Sequence, residues 1–327
     1  MTASRDFPEV YETTLLPELR QIEQERVKVK GLATIACIVI GASVLVGSTV
    51  FAIVTDLAWW EIVFPAIAMV FVTLMWMVKA TDWIAANYTL AFKRRIIRRL
   101  VQFIDARYTY TPHGYVRQSS FKKSGLFRSR VDRYRGNDLV KGQIGSLRFQ
   151  FSELHVETYG GNRDDETLMT VFQGLFFEVT LPASTTGETY VLPDPSARKP
   201  TLDPSRRLDP ETAPVTRVTL DDPAFARYFK VFSTQPKEAP GVLLPRTRQW
   251  LVDLQLKTEL GISAAFVADR LYLAIPYLLP QFEPEVFASM LESRALDGYL
   301  DKLLLANGIA EALALDLSEA ASTPAPP

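Results

Sequence analysis

Cysteine and histidine are scarce in this chain of 327 residues. It has one cysteine, Cys37, and two histidines, His113 and His155. A single thiol excludes an intrachain disulfide and a thiolate metal site. The two histidines have no partners at the spacing of a metal-binding motif, and no glycine-rich phosphate-binding pattern occurs. The sequence therefore predicts no metal and no cofactor, and nothing in it predicts nucleotide chemistry.

Charge is absent from two long apolar runs near the N-terminus. They extend over residues 32–54 and 62–78. About 20 consecutive apolar residues in a helix cross the hydrocarbon core of a bilayer. We therefore predict a transmembrane hairpin over residues 32–78, formed by these two runs. Because neither run contains Asp, Glu, Lys, Arg or His, an ion or substrate pathway is not expected, and an oligomeric pore is the least favoured function.

The distribution of positive charge predicts the orientation of the hairpin. The loop between the two runs contains Asp56 and Glu61 but no Lys or Arg, whereas cations flank the outer ends of both runs. Positively charged residues near the ends of membrane spans are retained on the cytoplasmic side. Both termini are therefore predicted to be cytoplasmic in a two-pass protein. Residues 1–31 are predicted to form an amphipathic cytoplasmic helix, because their apolar residues recur at helical spacing.

A basic juxtamembrane helix is predicted over residues 79–110. Between residues 93 and 135, thirteen cations stand against two acidic residues. Cations at this position bind the anionic headgroups of the cytoplasmic leaflet. Nucleic acid is not an expected partner, because no stacking aromatics alternate with these cations. The predicted lipid-contacting residues are Lys93, Arg94, Arg95, Arg98 and Arg99.

Residues 111–318 are predicted to form a β-rich cytoplasmic domain, because short alternating runs are separated by proline and glycine. The expected fold class is thus an α+β membrane protein, with a two-helix transmembrane hairpin, a β-rich domain and a C-terminal helix. Within the domain we expect a proline-rich loop over 193–214. Helices are expected over about 245–260 and 284–316, and a disordered tail over 319–327.

One predicted strand changes the phase of its apolar pattern. Leu147, Phe149 and Phe151 occupy one face, and the pattern shifts at Ser152 and Glu153. A β-bulge in this strand would explain the shift.

The polar end of the same strand contains the candidate catalytic residues Glu153 and His155. With Ser152 they have the residue types of a hydrolase triad. Ser152 would lie on the opposite face, however, unless a bulge realigns it, and a polar strand face without catalytic function is the simpler alternative. The acidic residues 164–166 could gather a cation, but no calcium-loop pattern surrounds them, and a solvated turn is the simpler explanation.

Several short patterns follow one another in a characteristic order. They are VDRYRGNDLVKGQIG, FQFSELHVET, TVFQGLFFEVTLP, VLPD, FARYFKVFSTQPKEA, LLP and FVADRLYLAIPY. In this order the chain resembles a bacterial family that is catalogued only as a domain of unknown function and is typified by two N-terminal membrane spans. The resemblance extends from the N-terminal helix to about Met290. The chain departs from the family at Gln173, where lysine is usual, and at Pro240 and Gly241, where an aromatic residue is usual.

These features together favour a membrane-anchored cytoplasmic binding or scaffold module in the bacterial inner membrane. The expected partners are anionic lipid headgroups and a protein, which would be either a different chain or a second copy of this one. The resemblance implies no settled activity. The alternative function is a membrane-proximal enzyme with a site near Glu153 and His155.

Overall fold

The structure is a computed structural model that describes most of the chain. The chain forms two compact units. The described residues are 3–54, 68, 71–72, 75, 86–160, 167–194, 208, 210, 213–258, 261–277, 282, 284, 289, 291 and 293–322. One unit comprises Met1–Arg99 and Glu283–Leu296, and the other comprises Leu100–Phe282 and Asp297–Pro327.

The first unit is helical. It contains α1 (Ala3–Val10), a π-helical turn (Tyr11–Leu15), α2 (Leu16–Val54), a helical segment over 86–92 and a second π-helical turn (Lys93–Ile97), which leads into α3 (Arg98–Ile104). Leu15, Leu19 and Ile22 are buried at spacings of four and three residues, which places them on one helix face. Arg26 continues this buried face and forms a 2.7 Å ion pair with Glu23.

The predicted transmembrane hairpin is wrong. Among the described residues, no helix combines the length and the apolarity that crossing a bilayer requires. The first apolar run is the C-terminal part of α2, whose N-terminal part is charged. Of the second run only Ala68, Phe71, Val72 and Met75 are described, and the loop over 55–61 lies outside the described residues.

This finding also corrects the predicted fold class and the predicted location. A helix crosses a bilayer only if it is both long enough and apolar enough over about 20 residues. No helix among the described residues meets both requirements. The predictions of a membrane fold and of a two-pass protein in the bacterial inner membrane with both termini cytoplasmic are therefore not supported. The structure supports an α+β fold with a large antiparallel sheet.

The second unit is built on a sheet of nine strands, counted among the described residues. Their order across the sheet is β1-β2-β3-β4-β9-β8-β5-β7-β6, and each neighbouring pair is antiparallel. The strands are β1 (Thr109–Thr111), β2 (Arg133–Ile144), β3 (Leu147–Gly160), β4 (Thr167–Thr180), β5 (Thr189–Pro193), β6 (Thr216–Val218), β7 (Phe229–Ser233), β8 (Ser263–Val267) and β9 (Arg270–Pro276).

Five helices accompany this sheet among the described residues that follow β1. They are α4 (Gln118–Lys123), α5 (Pro223–Ala226), α6 (Ala239–Val242), α7 (Pro245–Thr258) and α8 (Ser293–Ser322). Asp222 caps α5, because its Oδ1 accepts a 3.0 Å hydrogen bond from the backbone N–H of Phe225. A proline in the first turn of α5, α6 and α7 suits the position, where no backbone N–H is needed for an intrahelical bond.

Other parts of the unit pack on one face of the long strand β3 near its start and on the opposite face near its end. On the first face, Phe149 and Phe151 are buried beside Val101 of α3 and Leu303 of α8. On the second face, Leu154 and Val156 belong to a core that includes Phe121 of α4. Because successive residues of a strand point to opposite faces, this exchange of cover shifts the apolar pattern by one residue.

The β-bulge that was predicted in β3 lies instead in β2. The pairing of β3 with β4 is continuous from Phe149 to Val156, whereas the pairing of β2 with β3 shifts between Asn137 and Val140. Asp138 has a positive φ of 59° at this shift. Its carboxylate is buried and accepts a hydrogen bond from the hydroxyl of Tyr110. The apolar pattern of β3 therefore shifts because different faces are buried at the two ends of the strand. No bulge in β3 at Ser152 is needed to explain it.

Candidate functional site

A basic groove lies on the second face of the sheet, near the hairpin that joins β2 to β3. We call it the basic groove throughout. Its volume is about 540 Å³, which is within the usual range for small-molecule sites. The lining residues are Arg107, Thr109, Lys141, Gly142, Gln143, Arg148, Phe149, Gln150, Glu178, Thr180 and Arg270.

The register of the strands brings these residues together. Residues directly opposite one another on neighbouring strands share a face of the sheet. One row across the groove is Thr109, Lys141, Gln150 and Glu178, with Tyr272 next on β9. A second row contains the opposed pairs Gln143 with Arg148 and Thr180 with Arg270.

Among the described lining residues of the groove, Glu178 is the one that carries a carboxylate, and it is only 7% exposed. Gln150 Nε2 donates a 2.6 Å hydrogen bond to Glu178 Oε2. Arg270 Nη1 lies 3.5 Å from Glu178 Oε1 and also donates to the hydroxyl of Thr180. Arg270 Nε also lies 3.4 Å from Asp269 Oδ1. The charge of Arg270 thus has two acidic neighbours, and one of them, Glu178, lines the groove.

Arg107 lies at the groove and is held by Asp105, a residue outside the lining. Its Nη2 donates to Asp105 Oδ2 at 2.6 Å, and its Nε donates to Oδ1 at 3.0 Å. The hydrogen bonds from Arg107 lower the pKa of the Asp105 carboxyl to about 2. Arg107 is therefore paired with a carboxylate that is charged at neutral pH.

Lys141 and Arg148 differ from the other two cations of the groove. Both side chains are exposed, and neither has an acidic partner among the described residues. Lys141 is opposite Gln150 and Arg148 is opposite Gln143, so the two cations are diagonal neighbours on one face. Diagonal neighbours have Cα atoms roughly 7–8 Å apart, which leaves two like charges close to each other and favours an anion between them.

The candidate catalytic residues of the alternative enzyme function do not form a hydrolase triad with Ser152. His155 Nε2 lies 3.7 Å from Glu157 Oε1 on the first face of the sheet. Ser152 is buried on the second face, where its Oγ accepts a 2.9 Å hydrogen bond from the backbone N–H of Val116. The structure thus assigns Ser152 to the attachment of a loop. Glu153 is opposite Asn137 and Leu175, and it lies on the same face of β3 as His155, opposite to the face of Ser152.

No group of three or more His, Cys, Asp or Glu side chains converges as a metal site in the described part of the chain. The acidic residues 164–166, predicted to form a solvated turn with cation binding as the alternative, lie outside the described residues.

The five predicted lipid-contacting residues have different surroundings in the first unit. Lys93 is buried, with 5% of its surface exposed. Arg95 Nη1 lies 3.8 Å from Glu25 Oε1, and Arg99 Nη2 lies 2.6 Å from Glu18 Oε1. Arg94 and Arg98 are exposed, and no acidic partner of either occurs within the described residues. Arg95 and Arg99 therefore form ion pairs with α2, whereas Arg94 and Arg98 are exposed.

The groove residues were missed at the sequence level. The alternation of Arg148 and Gln150 with buried Leu147 and Phe149 does indicate a polar strand face. It does not indicate which strands lie beside it. Arg270 reaches the groove because β9 pairs with β4, a contact between residues about 90 positions apart in the chain.

Comparison with known proteins confirms the predicted family resemblance. Residues 170–315 match the model of a family described as a protein of unknown function, DUF3137. No curated protein matches the chain. Among solved structures, the chain is similar to the crystal structure of the mycobacterial trehalose monomycolate transport factor A, with 11% identity and a TM-score of 0.32. That match covers 70% of this chain and 96% of the other, and at this TM-score it supports no conclusion about function.

Proposed function

We propose that this protein is a binding module that holds an anionic group of its partner in the basic groove. The observation that carries the proposal is the pair Lys141 and Arg148, two exposed neighbouring cations without an acidic partner among the described residues. The groove supplies further hydrogen-bonding groups beside them, including Gln143 and Thr109. A protein partner, or a second copy of the chain, stays a prediction from the sequence.

Phosphate suits this site better than a single carboxylate. An arginine presents a planar set of donors that binds two oxygens of one phosphate, and a lysine adds a point charge. A phosphate has enough oxygens to accept hydrogen bonds from both Lys141 and Arg148. It also relieves the repulsion between Lys141 and Arg148, which otherwise opposes folding of this part of the sheet.

The test uses the full-length chain and inorganic pyrophosphate as the probe. We expect saturable binding in isothermal titration calorimetry, and we expect Lys141→Ala with Arg148→Ala to weaken it by at least about tenfold, since each lost charged contact contributes roughly 1.5–3 kcal/mol. Affinity should also fall as salt rises. The matched control is Arg217→Ala with Lys237→Ala, which removes the same two residue types from exposed positions outside the groove.

Two results would contradict the proposal. One is the absence of saturable pyrophosphate binding by the unmodified chain. The other is an equal loss of affinity in the groove variant and in the control variant, because a general loss of positive charge would then account for the effect.

We also propose that Arg94 and Arg98 contact anionic lipid headgroups. They are four residues apart, exposed, and without an acidic partner in the described segments. Each cation near an anionic surface contributes roughly 1 kcal/mol, so Arg94→Ala with Arg98→Ala should reduce flotation with phosphatidylglycerol vesicles by about tenfold or more. Arg20→Ala with Lys28→Ala removes two exposed cations of α2 and is the control. Equal flotation of the two variants would refute the contact.

A further inference from the structure

The basic groove contains the carboxylate of Glu178 beside its cations, and this carboxylate affects which type of ligand can bind. Glu178 is buried in the row that also holds Lys141 and Gln150. A carboxylate repels an anionic group, so its presence does not help to bind a simple phosphate ion. A carboxylate does favour a ligand that brings a hydrogen-bond donor to that position.

Glu178 retains acceptor capacity. Its Oε2 accepts from Gln150 at 2.6 Å, whereas Arg270 Nη1 approaches Oε1 only to 3.5 Å, longer than the 2.7–3.2 Å of most N–H···O hydrogen bonds. Because Gln150 donates through its amide nitrogen, its amide oxygen is a second acceptor on the adjacent strand. Two acceptors therefore lie side by side on β3 and β4.

The acceptors and the unpaired cations are close enough for one small ligand to reach both. Lys141, Gln150 and Glu178 are on three successive strands, and neighbouring strands are about 4.8 Å apart. Glu178 is thus roughly 10 Å across the sheet from Lys141, with Gln150 between them. A phosphate at the cations leaves room for a short chain of atoms that extends toward Glu178.

Arg270 indicates that the donor is neutral. Its guanidinium lies against Glu178, so the carboxylate already has a cationic neighbour. A ligand ammonium group would add a second cation beside Arg270, and like charges at this distance repel each other. A hydroxyl group donates a hydrogen bond without this cost.

We infer that the basic groove binds a hydroxyl-bearing phosphate ester, with the phosphate at Lys141 and Arg148 and a hydroxyl group at Glu178. This inference rests on the proposed function and specifies its ligand. Such an ester occurs free in solution and also as the headgroup of a phospholipid.

The experiment compares two probes that differ only in hydroxyl groups. The full-length chain is titrated with sn-glycerol 3-phosphate and with propyl phosphate by calorimetry. We expect glycerol phosphate to bind about tenfold more tightly, since an additional hydrogen bond is made to the buried carboxylate of Glu178. In Glu178→Gln, propyl phosphate should bind several-fold more tightly than in the unmodified chain, because a negative charge is removed, and the preference for glycerol phosphate should fall below about threefold.

The outcomes separate the inference from the proposed function. Equal binding of the two phosphates by the unmodified chain overturns the inference and leaves the proposed function standing. Binding of neither phosphate, together with no binding of pyrophosphate, overturns both. Glu178→Gln is nearly isosteric, and its melting temperature is checked first; if that variant does not fold, the comparison of the two probes on the unmodified chain still decides.

A vesicle arm distinguishes the source of the ester. Vesicles of phosphatidylglycerol carry the hydroxyl-bearing phosphate, and vesicles of phosphatidic acid carry a phosphate without these hydroxyl groups. Preferential, Glu178-dependent binding of phosphatidylglycerol vesicles supports a lipid source. Discrimination between the free esters, without discrimination between the vesicles, supports a free source. Loss of discrimination in both comparisons overturns the inference.

Discussion

Asp316 shows how one buried side chain can complete a distant element of the second unit. The residue lies in α8 and is 4% exposed. Its carboxylate accepts hydrogen bonds from the backbone N–H groups of Arg246 at 3.1 Å and Thr247 at 2.7 Å, and from Thr247 Oγ1 at 2.6 Å. The two backbone groups belong to the first turn of α7, where no intrahelical acceptor exists. Asp316 therefore acts as an N-cap that is supplied from another helix.

At this residue, Asp316→Ala should destabilise the protein. The change leaves two buried backbone N–H groups and a hydroxyl without their acceptor, which costs roughly 1–3 kcal/mol in the free energy of unfolding. Urea unfolding followed by circular dichroism measures the loss. Asp301→Ala removes an exposed carboxylate from the same helix and should change stability by less than about 0.5 kcal/mol. Equal losses in the two variants would refute the capping role.

The residue scale also shows how the strand places Ser152 and His155, which have two of the residue types of a hydrolase triad. Adjacent positions in a sequence are close in space, but adjacent positions on a strand face opposite sides of the sheet. Ser152 bonds the backbone of Val116 on one side, and His155 faces Glu157 on the other. The residue types of a hydrolase are present, and the strand separates them.

At the scale of the element, β3 is buried on one face at its start and on the other at its end. The alternation of Leu147, Phe149 and Phe151 is sufficient to predict a strand, because only period two places all three on one face. The position of the bulge is not predictable in the same way. It lies in β2, where Asp138 is tied to Tyr110 and, through its backbone N–H, to the carbonyl of Pro112.

The cations of residues 93–99 show that charge pairing also depends on contacts that are distant in the sequence. The position of these cations after an apolar run predicts that they contact lipid. Arg95 and Arg99 instead face Glu25 and Glu18 of α2, residues about 70 to 80 positions earlier in the chain. Sequence composition counts these charges but does not pair them. The proposed lipid contact is accordingly restricted to Arg94 and Arg98.

At the scale of the whole molecule, stability should depend on pH at both extremes. Hydrogen bonds from Arg26 and Arg107 lower the pKa values of Glu23 and Asp105 below their ordinary values of 4.5 and 3.8. These carboxylates contribute stability above those ordinary values, and the contribution is lost as pH falls through the lowered values. Burial raises the pKa values of Tyr108 and Tyr272 from 10.0 to about 12, so their contribution is complete below pH 10 and is lost above it.

Urea unfolding at a series of pH values tests this dependence. The midpoint should be nearly constant between about pH 5 and pH 9, and should fall below about pH 4 and above about pH 10. Asp105→Asn should reduce the dependence on the acid side, whereas Asp301→Asn, at an exposed position, should leave it unchanged. A midpoint that rises on acidification below pH 4 would contradict the assignment.

The prediction of a membrane fold failed at this largest scale. The residues from 32 to 54 are as apolar as the prediction required, yet no helix in the described segments meets the requirement for crossing a bilayer. The resemblance to a family of unknown function, by contrast, rested on the order of short patterns and is confirmed over residues 170–315.

The sequence by itself determined the properties that depend on composition and on neighbouring residues. One cysteine excludes an intrachain disulfide, and the alternation around Phe149 and Phe151 indicates a strand. Only the tertiary structure decided which face of each strand is covered, which cations have acidic partners, and that Lys141, Arg148 and Glu178 share a groove. The physical reason is that local conformation follows from near neighbours, whereas burial and charge pairing depend on strands that meet across long stretches of chain.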